Sequence, residues 1–194
     1  MSSSRRSKSR RLKRIAANVF VAFLAVVTVL LLVGLFLPNH YRVERSLEMR
    51  AKPEAIYAQI AGLRNWPEWT VWNQEMDPAV RFDYDAQDTG MGAAYRWAGP
   101  KMGKGFLKIT KAEPAKGVWY DLEFDDGAMK SSGSLTMEGS GETRRVVWVN
   151  EGDLGKNPVN RYVGLFMDRW VGADFERGLA RLKARVEGAS GETK

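Results

Sequence analysis

The sequence predicts an α+β chain: one transmembrane helix, then an antiparallel curved sheet of about seven strands wrapped on a long C-terminal helix, with two short helices after the first strand. Three observations carry this. Residues 15–37 contain no charged side chain. Between Val80 and Val149, apolar residues recur at every second position in short runs broken by glycine turns. From Trp170 to Val186 the apolar spacing becomes helical.

The apolar run is 23 residues long, and 16 of them are Leu, Ile, Val or Phe. At ~1.5 Å per residue it reaches roughly 34 Å, enough for a hydrocarbon core of ~30 Å. Those side chains favour insertion by at most roughly 5–10 kcal/mol. Pro38 ends the helix, because proline cannot continue the hydrogen-bond ladder. A cleaved signal peptide has a shorter apolar stretch and a small-residue cleavage site. The end here, Leu35-Phe36-Leu37-Pro38-Asn39, has no such site. The segment therefore reads as an anchor.

Charge gives the anchor a direction. Arg5, Arg6, Lys8, Arg10, Arg11, Lys13 and Arg14 precede it, whereas Arg42, Arg45, Arg50 and Lys52 follow. The heavier basic flank belongs on the cytoplasmic side. Residues 1–14 thus read as a cytoplasmic tail able to meet anionic lipid, and the remainder as lying on the periplasmic or extracellular side. The tail also accounts for the whole net charge of +7: the rest of the chain holds 23 basic and 23 acidic residues. The pI of 9.7 therefore carries no nucleic-acid footprint.

The domain is predicted over residues 41–187. Val43, Leu47 and Met49 alternate in a first strand. Pro53 and Glu54 open a helix whose apolar face is Ile56, Tyr57, Ile60 and Leu63. Pro67 and Glu68 start a second, shorter helix. Six strands follow in an antiparallel meander, with Asp126-Gly127 as a hairpin signal. In the last strand Val147 and Val149 alternate, with Trp148 on the opposite face. The final helix carries Trp170, Val171, Phe175, Leu179, Leu182 and Val186; Gly188 is predicted to stop it, leaving residues 188–194 frayed.

Much chemistry is excluded. The chain has no cysteine and a single histidine, His40, so Cys-ligated and multi-His metal sites are ruled out. No cofactor is predicted. Asp121 and Glu123 alternate with Tyr120 and Leu122 and point to solvent if the apolar face is the inner one. Residues 99–105 are rich in glycine and lysine, but they lack the strand–loop–helix setting of a phosphate loop and read as a β-turn. No residue spacing demands catalysis.

Several blocks resemble the SRPBCC (START-like/polyketide-cyclase) superfamily. They are Val43 with Pro53, Ala55, Ile56 and Tyr57; Asn65-Trp66-Pro67-Glu68-Trp69 with Trp72; Gly90-Met91-Gly92 before Tyr95-Arg96-Trp97; and the closing stretch from Gly172 through Phe175, Gly178 and Leu179 to Lys183. An N-terminal membrane helix before such a domain is similar to a bacterial subgroup without a known reaction. The resemblance implies a helix-grip fold, with a cavity between sheet and helix for a lipid or other hydrophobic small molecule. Candidate lining residues, by alternation or helical face, are Tyr95, Trp97, Leu107, Tyr120, Phe124 and Met129 on strands and Phe166 and Trp170 on the last helix. Trp69 and Trp72 would form a rim. Apolar lining alone does not separate a pocket from a packed core. A cyclase/aromatase- or hydrolase-like enzyme on the same fold and a membrane-surface interaction module are the alternative readings.

Overall fold

The computed structural model describes residues 3–141 and 143–191. Helix α1 (Ser3–Phe36) begins inside the basic leader and contains the long apolar stretch Arg14–Phe36. Its apolar side chains, such as Phe20, Phe23 and Leu32, are exposed. After Pro38 and Asn39 the chain enters strand β1 (His40–Arg50). Helix α2 (Pro53–Ala61) has its proline in the first turn, where a missing N–H costs nothing, and Glu54 complements the helix dipole. A single 3₁₀ turn (Leu63–Asn65) leads into α3 (Trp66–Trp69).

The rest of the sheet follows as β2 (Arg81–Tyr84), β3 (Ala94–Gly99), β4 (Gly103–Glu113), β5 (Gly117–Phe124), β6 (Met129–Glu138) and β7 (Thr143–Asp153). Strand order is β1-β7-β6-β5-β4-β3-β2, antiparallel throughout. The six later strands form a plain meander, and β7 closes back on β1. Helix α4 (Pro158–Gly191) covers the inner face. It buries Phe175, Leu179, Leu182 and Val186, each a contribution of roughly 1.5–3 kcal/mol.

Arg45 ties α4 to β1. It shares the inner side of β1 with Val43 and Leu47, and it donates to Asp168 at 2.8 Å and Glu176 at 2.7 Å. Gly172 leaves room for it: a Cβ there would lie 2.2 Å from Arg45 Nη2. Further along, the Arg50 amide donates to Glu187 at 2.7 Å.

Two local expectations change, and one gains detail. Trp148 faces inward and is buried, with Val146 and Asn150 on its side. Val147 and Val149 lie on the outer face, shielded between Ser46 and Thr136 and between Glu44 and Ser134. The hairpin signalled by Asp126-Gly127 forms between β5 and β6, and its connection is a 3₁₀ turn of Asp125, Asp126 and Gly127, all three at positive φ. Gly188 does not stop α4, which runs on to Gly191. An exposed glycine in a last turn costs only about 1 kcal/mol and need not end a helix.

Candidate ligand site on the inner face of the sheet

The inner face is divided into a packed part and a more open part. The packed part is aromatic. Trp148 stacks on Phe175 at 4.1 Å, and Trp69 meets Trp148 edge-on at 5.2 Å. Trp66 and Tyr120 lie 5.4 Å apart, and Trp72 reaches Phe175 at 6.0 Å. Their polar atoms are mostly satisfied: Trp148 Nε1 donates to the Tyr120 hydroxyl at 2.8 Å, and Trp66 Nε1 to the Ile60 carbonyl at 3.0 Å. Trp69 Nε1 is buried without an acceptor among the described residues.

Strand register defines the other part. One cross-strand row runs Leu107, Leu122, Ser131, Gly152, Tyr41. The next row toward the β5–β6 hairpin is Trp97, Gly105, Phe124, Met129. Here Leu122, Phe124, Ser131 and Tyr41 are only half-buried, and Met129 is 53 % exposed. The two rows lie at the end of the sheet where β1 leaves α1, since His40 pairs with Asp153.

A neutral polar cluster sits in this apolar floor. The Tyr41 hydroxyl donates to Asn150 Oδ1 at 2.9 Å. Asn150 Nδ2 donates to Ser131 Oγ at 3.3 Å and to the Ser132 carbonyl at 3.1 Å. Burial pushes the Tyr41 phenol up, against a lowering hydrogen bond from Ser131. Burial likewise pushes Tyr120 and Tyr95 well above the ordinary phenol value. These hydroxyls stay protonated at neutral pH and serve as hydrogen-bonding groups.

Glycines let aromatic rings lie flat against the floor. A Cβ on Gly105 would sit 2.0 Å from the Trp97 ring, one on Gly133 2.3 Å from Tyr120, and one on Gly152 2.7 Å from Tyr41. The rings therefore cover neighbouring strands instead of standing up from the sheet.

The expected lining residues divide accordingly. Tyr95, Trp97, Leu107 and Tyr120 are buried on the inner face, and Phe124 and Met129 edge its open end. Trp72 is half-buried beside Trp148 and Phe175. Trp69 is fully buried and forms no rim, because α3 packs it into the aromatic cluster. Phe166 and Trp170 do not line the inner face. They are 48 % and 57 % exposed and stack on each other at 5.3 Å. Phe166 is nine residues before the core-facing Phe175, half a turn out of phase. Tyr41, Ser131 and Asn150 were not among the expected residues. The signal for Asn150 is its alternation with Trp148, and for Tyr41 its alternation with Val43.

Asp77 is the carboxylate among the described residues that is fully buried, and it is committed to structure. It accepts the amides of Lys101 (2.8 Å), Met102 (3.0 Å) and Ala79 (3.3 Å), pinning the β3–β4 hairpin. On the outer face an open groove of about 680 Å³ is lined by Arg81, Asp83, Arg96, Lys104, Phe106 and Glu123. Its charges are mixed and suit water more than an apolar ligand.

A family described as polyketide cyclase / dehydrase and lipid transport matches residues 40–187. The chain belongs to this polyketide cyclase family. Solved structures with the same fold include the di-domain aromatase/cyclase StfQ of the steffimycin biosynthetic pathway, with a TM-score of 0.58 and 14 % identity over 79 % of this chain and 52 % of that one. A Mesorhizobium loti protein matches with a TM-score of 0.54 and 12 % identity, covering 75 % and 96 % of the two chains. An Arthrobacter aurescens protein matches with a TM-score of 0.52 and 16 % identity, covering 76 % and 86 %. No match was found among curated protein sequences. At such identities the structures share the helix-grip fold alone with this family member.

Proposed function

We propose that this polyketide cyclase family member is a membrane-anchored binding domain for a lipid or similar hydrophobic molecule. The observation carrying this reading is the half-buried apolar end of the inner face around Leu122, Phe124 and Met129, with Tyr41, Asn150 and Ser131 set into it. Apolar walls with a few convergent polar groups are the common form of a small-molecule site. An acyl or polycyclic body would lie along Leu122, Phe124 and Met129, and its polar head would meet Tyr41 and Ser131, which Asn150 holds in place. These groups are neutral, which suits recognition of a head group more than proton transfer; binding is therefore favoured over a cyclase or hydrolase reaction. Helix α1 would hold the domain against the bilayer, with the basic leader cytoplasmic and the domain on the periplasmic or extracellular side.

Native mass spectrometry of the full chain released from nanodiscs tests this. The expected result is a stoichiometric apolar adduct, lost in a Leu122→Trp variant that fills the floor and weakened about tenfold or more when Asn150→Leu removes the polar contact, a loss of about 1.4 kcal/mol. A chain that carries no adduct, even after incubation with phospholipid and fatty acid, would sink the proposal.

A further inference from the structure

Helix α4 carries an apolar stripe that the fold leaves uncovered. Val159, Val163, Phe166 and Trp170 are 56, 45, 48 and 57 % exposed. At about 100° per residue they fall within roughly 60° of arc, on the side opposite Phe175. The same stretch of α4 is bound to α1. Tyr162 donates to the Leu30 carbonyl at 2.6 Å, and Arg161 to the carbonyls of Leu35 (2.6 Å) and Leu37 (3.3 Å). Gly34 makes the approach possible, since a Cβ there would lie 2.8 Å from Pro158.

Leu30 lies within the apolar stretch Arg14–Phe36, six residues before its end and therefore about 9 Å deep at 1.5 Å per residue. A helix bonded at that depth cannot stand clear of the bilayer. We infer that the start of α4 is a second membrane contact, lying in the head-group–acyl boundary with Val159, Val163, Phe166 and Trp170 turned toward lipid. This rests on the reading of α1 as a membrane anchor. The surroundings fit. Exposed Lys156 and Arg169 flank the stripe and can meet lipid phosphates. Trp170, farthest from the α1 contact, is the side chain suited to the shallow interface. The core face of α4 holds the domain above while the opposite face enters the leaflet, which puts the open end of the inner face next to the lipid.

The chain has no cysteine, so single spin labels report single sites. Val163→Cys, Phe166→Cys, Val26→Cys in α1 and Ser132→Cys on the outer face of the sheet would each be labelled in the full chain. Each would be placed in nanodiscs of phosphatidylcholine and phosphatidylglycerol, and collision with oxygen compared with collision with a water-soluble nickel chelate. The expected result is oxygen-rich, nickel-poor collision at Val26, Val163 and Phe166, with depth decreasing in that order, and the reverse at Ser132. Buried Val26 with water-exposed Val163 and Phe166 would overturn this inference alone and leave the anchor intact. A water-exposed Val26 would overturn both. Protection of Phe166 from both reagents, or dipolar broadening between two copies, would mean that protein covers the stripe and would overturn the lipid assignment.

Discussion

Tyr120 uses one side chain for two tasks. Its hydroxyl accepts the Trp148 indole N–H, and its ring lies over Gly133. Tyr120→Phe leaves a buried donor without an acceptor, and denaturant unfolding should show a loss of about 1–3 kcal/mol with an unchanged m-value. Gly133→Ala forces a methyl group into the same ring and should cost about 1–3 kcal/mol through overpacking. Asp77 is tested by pH. Burial pushes its carboxyl up, but the amides of Met102, Lys101 and Ala79 and the nearby Lys101 ammonium outweigh this and hold it below the ordinary value. A lowered folded pKa stabilises fully above the unfolded value of about 3.9, and the contribution is lost as pH falls through the folded value. The thermal midpoint should therefore drop on acidification below about pH 4, and Asp77→Asn should flatten that limb. An unchanged acid slope in Asp77→Asn would remove Asp77 from the account.

Elements differ in how firmly they are held. The C-terminal half of α4 is fixed by buried Phe175, Leu179, Leu182 and Val186, whereas its middle has only half-buried Met167 and Val171 and the ion pairs of Arg45 with Asp168 and Glu176. Both carboxylates are more than 60 % exposed, so water screens the pairs and each is worth about 0.2–1 kcal/mol. Arg45→Leu should therefore cost roughly 1 kcal/mol overall. Amide exchange should rise near Asp168 and stay slow around Leu179; equal acceleration along α4 would contradict this division. The elements themselves were legible in the sequence, because period-two and helical spacing follow directly from which side chains meet the core. Faces were harder. Val147 and Val149 are as apolar as a core requires, yet the outer face of a central strand is also shielded, so alternation alone did not reveal that Trp148 points inward. The same ambiguity hid part of the site. Asn150 and Tyr41 are polar residues at inward positions, which composition assigns to the surface. Phe166 and Trp170 are apolar residues on the wrong side of α4, which composition assigns to the core.

At the scale of the molecule, the sheet, α4 and α1 form one connected body. The inner face opens at its α1-proximal end, and α4 meets α1 through Gly34, Tyr162 and Arg161. With α1 spanning the bilayer as proposed, that connection would tie the orientation of the domain to the direction in which α1 crosses. Seven basic residues lie before the charge-free run 15–37, which favours a cytoplasmic N-terminus. Alkaline phosphatase, which is active only after export, should therefore be active when fused after Lys194, while green fluorescent protein exported unfolded to the same place should stay dark. Neutralising Arg5, Arg6, Lys8 and Arg10 to serine leaves three basic residues before the span against Arg42, Arg45, Arg50 and Lys52 beyond it. The bias then nearly vanishes, and a measurable fraction of chains should invert, with phosphatase activity falling and fluorescence appearing. Bright fluorescence from the unaltered chain would reverse the proposed orientation and place the candidate ligand site and the apolar stripe of α4 at the cytoplasmic leaflet.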